Sequence, residues 1–279
     1  MYKSLELEVY EQKKIVRLSG ILVMGLSLTN RSECMDCKEL SGVICDYWKK
    51  LFCGMTVYQR PNLKLTVKES LSEEEGLMVL DFPTGVKHIV VSRALLNDLE
   101  NEDLRNYSYE DIIESLRKRG IVLHGADYLY YFSKEALSAL DGYVVVPEIR
   151  QLTVADTSCF LEFERTASIQ DLDDASVSLE HWLVFGAFEN DKLVAVASMY
   201  PWDDESRIAD LGILTLAEYR GRGYALRVAQ AICKEALRKG YEPQYRCQLD
   251  NDASIALASK LNLTLFAKWD VIAPDIASI

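Results

Sequence analysis

The chain has 279 residues, with 31 Lys plus Arg against 43 Asp plus Glu, a formal net charge of −12. At ~150 residues per domain this length suggests two units, and a surface so acidic excludes general binding to phosphate backbones or anionic lipid. With 49% hydrophobic and 27% charged residues, the composition excludes collagen-like and wholly disordered classes.

No apolar run approaches the ~20 residues of a membrane span; GILVMGLSL, from Gly20, is about half that. The opening MYKSLELEVYEQKK lacks the apolar core of a signal peptide, so a cytoplasmic location is expected. Seven cysteines, an odd number, argue for reduced thiols and against a disulfide framework.

In chain order, KELSGVICDYWKKLF spaces Leu40, Val43, Ile44, Tyr47, Trp48 and Leu51 as one helix face. VKHIVVS has the β-branched character of a strand. SYEDIIESLRKRG predicts a helix capped by Ser108, with Asp111 completing a capping box and Gly120 ending it. DYLYYFS reads as a strand running into a short helix capped by Ser133. No catalytic signature stands out in this half. Asp141 and Gly142 end a helical pattern and Pro147 interrupts the next run, which places a boundary near residue 147.

Beyond it, EIRQLT predicts a strand, and residues from about Asp156 to Ala167 a helix, followed by an acidic loop. LVFGAFEN and KLVAVASMY then form a hairpin around Asn190 and Asp191, and RIADLGILTL adds a third strand. An amphipathic helix follows Tyr224, with Val228, Ala231, Ile232, Ala236 and Leu237 on one face and Gly240 as its stop. QYRCQLD is a strand, DASIALASKLN a helix capped by Asn251 or Asp252, and TLFAKWDVI a final strand.

The segment RGRGYA, Arg220 to Ala225, lies between an apolar strand and that amphipathic helix. Gly221 and Gly223 allow positive φ and close backbone approach to a ligand. The amides of Arg222, Gly223, Tyr224 and Ala225 then open the helix, where free N–H groups and the dipole favour a pyrophosphate, and Arg220 and Arg222 add charge.

These residues resemble the acetyl-CoA loop [QR]-x-x-G-x-[GA] of the GNAT superfamily of N-acetyltransferases, with Arg220, Gly223 and Ala225 at its three fixed positions. The order strand, loop, helix, strand, helix, strand matches too, and QLDNDASIALASKLNL resembles the following N-x-x-A segment. The resemblance covers about residues 148–273. It implies a mixed, mostly antiparallel α/β sheet flanked by helices over residues 148–279. A smaller mixed α/β domain of unassigned role, or a degenerate copy of the same fold, would occupy residues 1–147.

It further implies acetyl-CoA as co-substrate and an amine as acceptor, with direct transfer between them. Ile213, Leu214 and Thr215 fall where family members pair with pantetheine and polarise the thioester carbonyl, a contribution of ~3 kcal/mol for an oxyanion donor. Asn251 matches a cofactor-contacting Asn, or serves only as a helix cap. The frequent family acid, a Tyr, is replaced by Ala258. Asp210 is the candidate base, and Tyr200 and Tyr224 are candidate hydroxyls near the acetyl group, each weighed against a packing or surface role. A non-catalytic CoA-binding or interaction module and longer acyl donors are the alternatives.

Other clusters are weaker. Cys34, Cys37, Cys45 and Cys53 superficially suggest zinc, but Cys45 falls inside a helical pattern, so no metal is expected. Cys247 reads as a buried strand cysteine, and His88, His124 and His181 as unlinked singles. Glu162, Glu164, Asp171, Asp173, Asp174 and Glu180 precede the cationic residues from Arg220 to Lys239, which suggests two oppositely charged surfaces, the acidic one facing a cationic amine.

Overall fold

The structure, a computed structural model, describes residues 38–71, 76–99, 106–203 and 205–273. Cys34, Cys37, the Gly20 run and the opening segment lie outside the described residues. By compactness, residues 140–243 form one unit, and residues 38–139 with 244–273 the other. This division does not follow the sequence boundary near 147, because the last helix and strand group with the earlier residues.

In the second unit, α1 (Gly42–Leu51) starts at Ser41, whose hydroxyl accepts from the Ile44 amide. Ile44, Cys45 and Trp48 are buried, whereas Val43 is exposed. Its strands are β1 (Met55–Arg60), β2 (Leu63–Val67), β3 (Leu77–Asp81), β4 (Lys87–Val91) and β5 (Asp127–Phe132). Helices α2 (Arg93–Leu99) and α3 (Tyr109–Lys118) follow β4, and α3 carries the Ser108–Asp111 capping box. Leu95, Leu96, Leu99, Ile112 and Leu116 from these helices share one core with Leu65, Val79 and Ile89 from the strands. Each such side chain contributes ~1.5–3 kcal/mol on burial.

Ser133 caps α4 (Lys134–Asp141) by accepting from the Ala136 amide. The closing strands are β10 (Glu242–Gln248) and β11 (Leu263–Val271). Strand order is β1-β2-β4-β3-β11-β5-β10, with β2 and β4 parallel and the other neighbours antiparallel. Thus β5 lies between β10 and β11. Trp48 Nε1 donates to the Tyr131 hydroxyl at 2.8 Å, and that hydroxyl donates to Gln244, so the polar atoms buried here are paired.

The first unit is an antiparallel sheet, β6 (Ile149–Gln151), β7 (Leu183–Glu189), β8 (Lys192–Pro201) and β9 (Ile208–Thr215), in that order. Asn190 and Asp191 take φ of 49° and 63°, the left-handed pair that a tight hairpin requires. Helix α5 (Thr157–Thr166) is as expected. The stretch read as an acidic loop instead contains a helix, α6 (Ile169–Ala175), because Ser168 caps it by accepting from the Asp171 amide.

Strand alternation sends Val184, Val196 and Leu214 into a core with Leu152, Phe160, Phe163 and Val177. The opposite parity carries Ala187, Ala195, Ala197 and Met199, all fully buried. These small side chains let α7 (Tyr224–Arg238) lie against β7, β8 and β9 through Val228, Ala229, Ala231, Ile232, Cys233 and Ala236. Among the described residues, no helix is long and apolar enough to cross a membrane.

Candidate functional site

After β9 a single 3-10 turn, Ala217–Tyr219, leads into the glycine segment. Gly221 and Gly223 have φ of 77° and 81°, and Gly223 is the N-cap of α7 without a side-chain capping bond. Among the described residues, the amides of Arg222, Gly223, Tyr224 and Ala225 have no hydrogen-bond acceptor. A 15-residue helix therefore presents its positive end with open donors.

The cations of this loop are engaged by carboxylates. Arg220 pairs with Asp171 at 2.7 Å and donates to the Thr215 carbonyl at 3.1 Å. Arg222 reaches Glu189 at 3.3 Å and lies over the Tyr219 ring, 5.1 Å from its centroid, with Lys192 at 5.4 Å from the same ring. The acidic segment thus meets the cationic one through one ion pair, Asp171 with Arg220. Each pair is half-exposed and contributes ~0–1 kcal/mol. Arg227, which the loop motif does not include, stacks over Tyr224 at 4.6 Å and donates to the Arg222 carbonyl at 3.4 Å.

A second cluster lies on the sheet face that packs against α5 and α6. Tyr200 and Asp210 are direct cross-strand partners, and the Tyr200 hydroxyl donates to Asp210 Oδ2 at 3.3 Å. Asp210 is only 5% exposed. Two residues back on β8 and two residues on in β9, Ser198 faces Gly212. Ser198 Oγ accepts from the Ser178 amide at 3.3 Å and lies 2.9 Å from His181 Nδ1. The His181 ring packs on Tyr200, centroid to centroid 4.9 Å. Burial pushes the His181 pKa down from 6.5 to about 4, against the attraction of Asp210, so the ring is neutral at pH 7.

The structure therefore brings Asp210 and Tyr200 together and adds His181 and Ser198, which the sequence reading did not place there. The legible signal was the alternation of Ser198 and Tyr200 on one strand face. What it lacked was the α6–β7 connection that brings His181 over that face. Tyr224 lies elsewhere: its ring meets Tyr219 and Arg227, and burial together with Glu189 raises its hydroxyl pKa above the ordinary 10.

Leu214 is buried in the core, and Ile213 and Thr215 have the opposite parity; among the described residues, the buried Thr215 hydroxyl has no hydrogen-bond partner. Asn251 belongs to the other unit and caps α8 (Asp252–Lys260), its Oδ1 accepting from the Ser254 amide at 3.0 Å. Ala258 is fully buried in α8. Cys45 and Cys247 are buried, and burial raises the Cys247 pKa to about 11. Among the described residues, no group of three or more His, Cys, Asp or Glu is arranged to hold a metal ion. A cavity of about 210 Å³ beside the β7–β8 turn is lined by Cys159, Glu162, Phe163 and residues 190–193, and includes none of the candidate catalytic or cofactor-binding residues.

Over 63 residues the chain is 36% identical to an uncharacterised N-acetyltransferase, YdfB, of Bacillus subtilis, a stretch covering 23% of this chain and 24% of that protein. Among solved structures it is similar to a GNAT-family acetyltransferase from Colwellia psychrerythraea, at 17% identity and TM-score 0.44 over 63% of this chain and 69% of that one. The GNAT domain of S. lividans PAT gives 15% identity and TM-score 0.38, over 45% of this chain and 89% of that one. The family model described as "Acetyltransferase (GNAT) family" matches residues 146–262, leaving residues 1–145 and 263–279 outside the match. Residues 146–262 of this chain belong to the GNAT acetyltransferase family.

Proposed function

We propose that the chain is an acetyl-CoA-dependent N-acetyltransferase whose catalytic region is residues 148–279, on a GNAT-like fold. The observation that carries this reading is the run of open amides from Arg222 to Ala225, behind two left-handed glycines and at the positive end of α7. That arrangement suits a pyrophosphate, with Arg220 and Arg222 exchanging their carboxylate partners for phosphate oxygens. Ile213 to Thr215 would pair with pantetheine, and one of their amides would stabilise the oxyanion.

In this reading the amine nitrogen attacks the thioester carbonyl carbon, the C–S bond breaks, and CoA leaves as a thiolate that takes up a proton. Asp210 accepts the proton lost by the amine, directly or through water, and Tyr200 holds the carboxylate in place. The distinct position of Tyr224, over Arg227 and toward Glu189, supports a role in cofactor binding more than one at the acetyl group. The exposed carboxylates of Glu162, Asp173 and Glu180 favour a cationic acceptor.

Ala258 in place of the family Tyr favours a second reading, a CoA-binding module without turnover. Calorimetry with CoA and a CoA-release assay over a panel of amines separate the two. Gly223→Val should abolish CoA binding, because it forces a β-branched residue into left-handed backbone at the phosphate-facing turn. Retained affinity would overturn the site assignment.

A further inference from the structure

The cluster on the α5 and α6 face contains one polar group that the acetyl-transfer reading leaves without a task, the His181 imidazole. Its protonation follows from the partners of Ser198. Ser198 is fully buried, and among the described residues its hydroxyl oxygen has two partners, the Ser178 amide and His181 Nδ1. The amide can only donate, so the serine's own hydrogen has one acceptor within reach, Nδ1. The opposite tautomer, with hydrogen on Nδ1, would leave a fully buried O–H without an acceptor, the costlier arrangement.

The Ser198 hydroxyl therefore donates to Nδ1, and a neutral ring then carries its proton on Nε2. Tyr200 from β8 packs against the ring at a tilt of 56°, and Asp210 from β9 is the carboxylate that acts on it, with its Oδ2 already accepting from the Tyr200 hydroxyl. Among the described residues, Nε2 has no hydrogen-bond partner. His181 is partly exposed, and it sits on the same sheet face as the carboxylate assigned to the acceptor's proton.

We infer that His181 is a fixed neutral donor, through Nε2–H, that selects acceptor amines carrying a hydrogen-bond-accepting oxygen close to the nitrogen. This deepens the acetyl-transfer reading and rests on it. A donor at fixed height above Tyr200 recognises a hydroxyl or carbonyl oxygen, while Asp210 takes the ammonium side of the same molecule. In this tautomer Nε2 has no lone pair to offer, so His181 is a specificity-determining residue and not the base.

The test compares amines that differ by the oxygen alone: ethanolamine with propylamine, and glycinamide with isobutylamine, with rates expressed per neutral amine. The full chain should prefer the oxygen-bearing member of each pair by about 10-fold to 100-fold in kcat/KM, chiefly through KM. His181→Phe should reduce that preference to about 3-fold or less. His181→Gln should restore it, since the glutamine N–H reaches about as far as Nε2. Both variants should keep the wild-type affinity for CoA by calorimetry. Nitrogen-15 NMR should show the His181 proton on Nε2 at pH 7, and Ser198→Ala should release that preference.

An unchanged preference in the Phe variant, a Gln variant as poor as Phe, or a proton on Nδ1 would each overturn the assignment. Turnover without any oxygen preference would overturn it and leave acetyl transfer standing. CoA binding without turnover of any amine would overturn both.

Discussion

Gly212 meets the end of α6 with no side chain between them, and Gly212→Ala is the most direct test of how that sheet face is built. A Cβ added there would lie 2.3 Å from the Ala175 carbonyl oxygen and 3.3 Å from that of Ser176. Real contacts of this kind stay beyond about 3 Å, and the obstacle is backbone, so the end of α6 must move away from β9. Ser176 already holds a φ of 47° to turn the chain there, and two residues later the Ser178 amide donates to Ser198. Overpacking of this type costs about 1–3 kcal/mol, a fall of several degrees in the melting temperature of a protein this size. Because the strain is local, amide exchange should quicken at Ser178 and His181 while the α7 amides stay protected. The assays are thermal denaturation and site-resolved hydrogen exchange. An unchanged melting temperature with unchanged Ser178 protection would refute the claim that α6 rests on the bare backbone of Gly212.

Two further outcomes follow from charges in the two units. Glu189→Gln removes the carboxylate that faces Arg222, so CoA affinity should rise by about 2-fold to 5-fold while stability falls by less than ~1 kcal/mol; weaker binding would mean that Glu189 positions the loop for phosphate. His88, which is 4% exposed, and His181 are both held below the ordinary 6.5, at about 3 and about 4, chiefly by burial. The unfolded chain therefore binds more protons than the folded one below pH 6.5. Stability should be complete above that pH and decline as pH falls toward 4, by up to about 1.4 kcal/mol per pH unit for each histidine. His88→Gln and His181→Gln should each flatten the decline in denaturant titrations, and an unaltered slope in both would contradict the burial assignment.

Much of the secondary structure was legible because it rests on local chemistry. Ser108 and Asp111 form their capping box, Ser133 caps its helix, and Asn190 and Asp191 adopt the left-handed turn, each within a few residues. The glycine loop was legible for the same reason: Gly221 and Gly223 fix its shape whatever surrounds it. Helix α6 was missed because its apolar stripe is short, its first turn is acidic, and only the Ser168 cap announces it. The polar cluster was half legible. Asp210 and Tyr200 stood out as chemical types, but their pairing depends on the β8–β9 register, and His181 joins them through contacts with Ser198 and Tyr200, 17 and 19 residues away.

The limits of a linear reading are clearest at the end of the chain. QYRCQLD and TLFAKWDVI follow one another with a single helix between them, and hydropathy alone makes them neighbours in one self-contained unit. In the structure both bond instead to β5: Tyr245 to Gln248 pair with Tyr130 to Asp127, and Leu263 to Trp269 pair with Phe132 to Asp127. A strand flanked on both edges has all its ladder groups satisfied, which accounts for the apolar, aromatic run DYLYYF where an exposed edge would carry charge. Tyr131 extends the dependence into side chains, donating to Gln244 of β10 while accepting from Trp48 of α1. Removing residues before 147 would thus strip β10 and β11 of their shared partner β5, and β11 of β3 as well, leaving three edges of open backbone groups, each of which costs free energy where water cannot reach it. The stretch of chain before the family match is, on this argument, part of the framework that holds β10, the last strand within the match, and β11, which follows it.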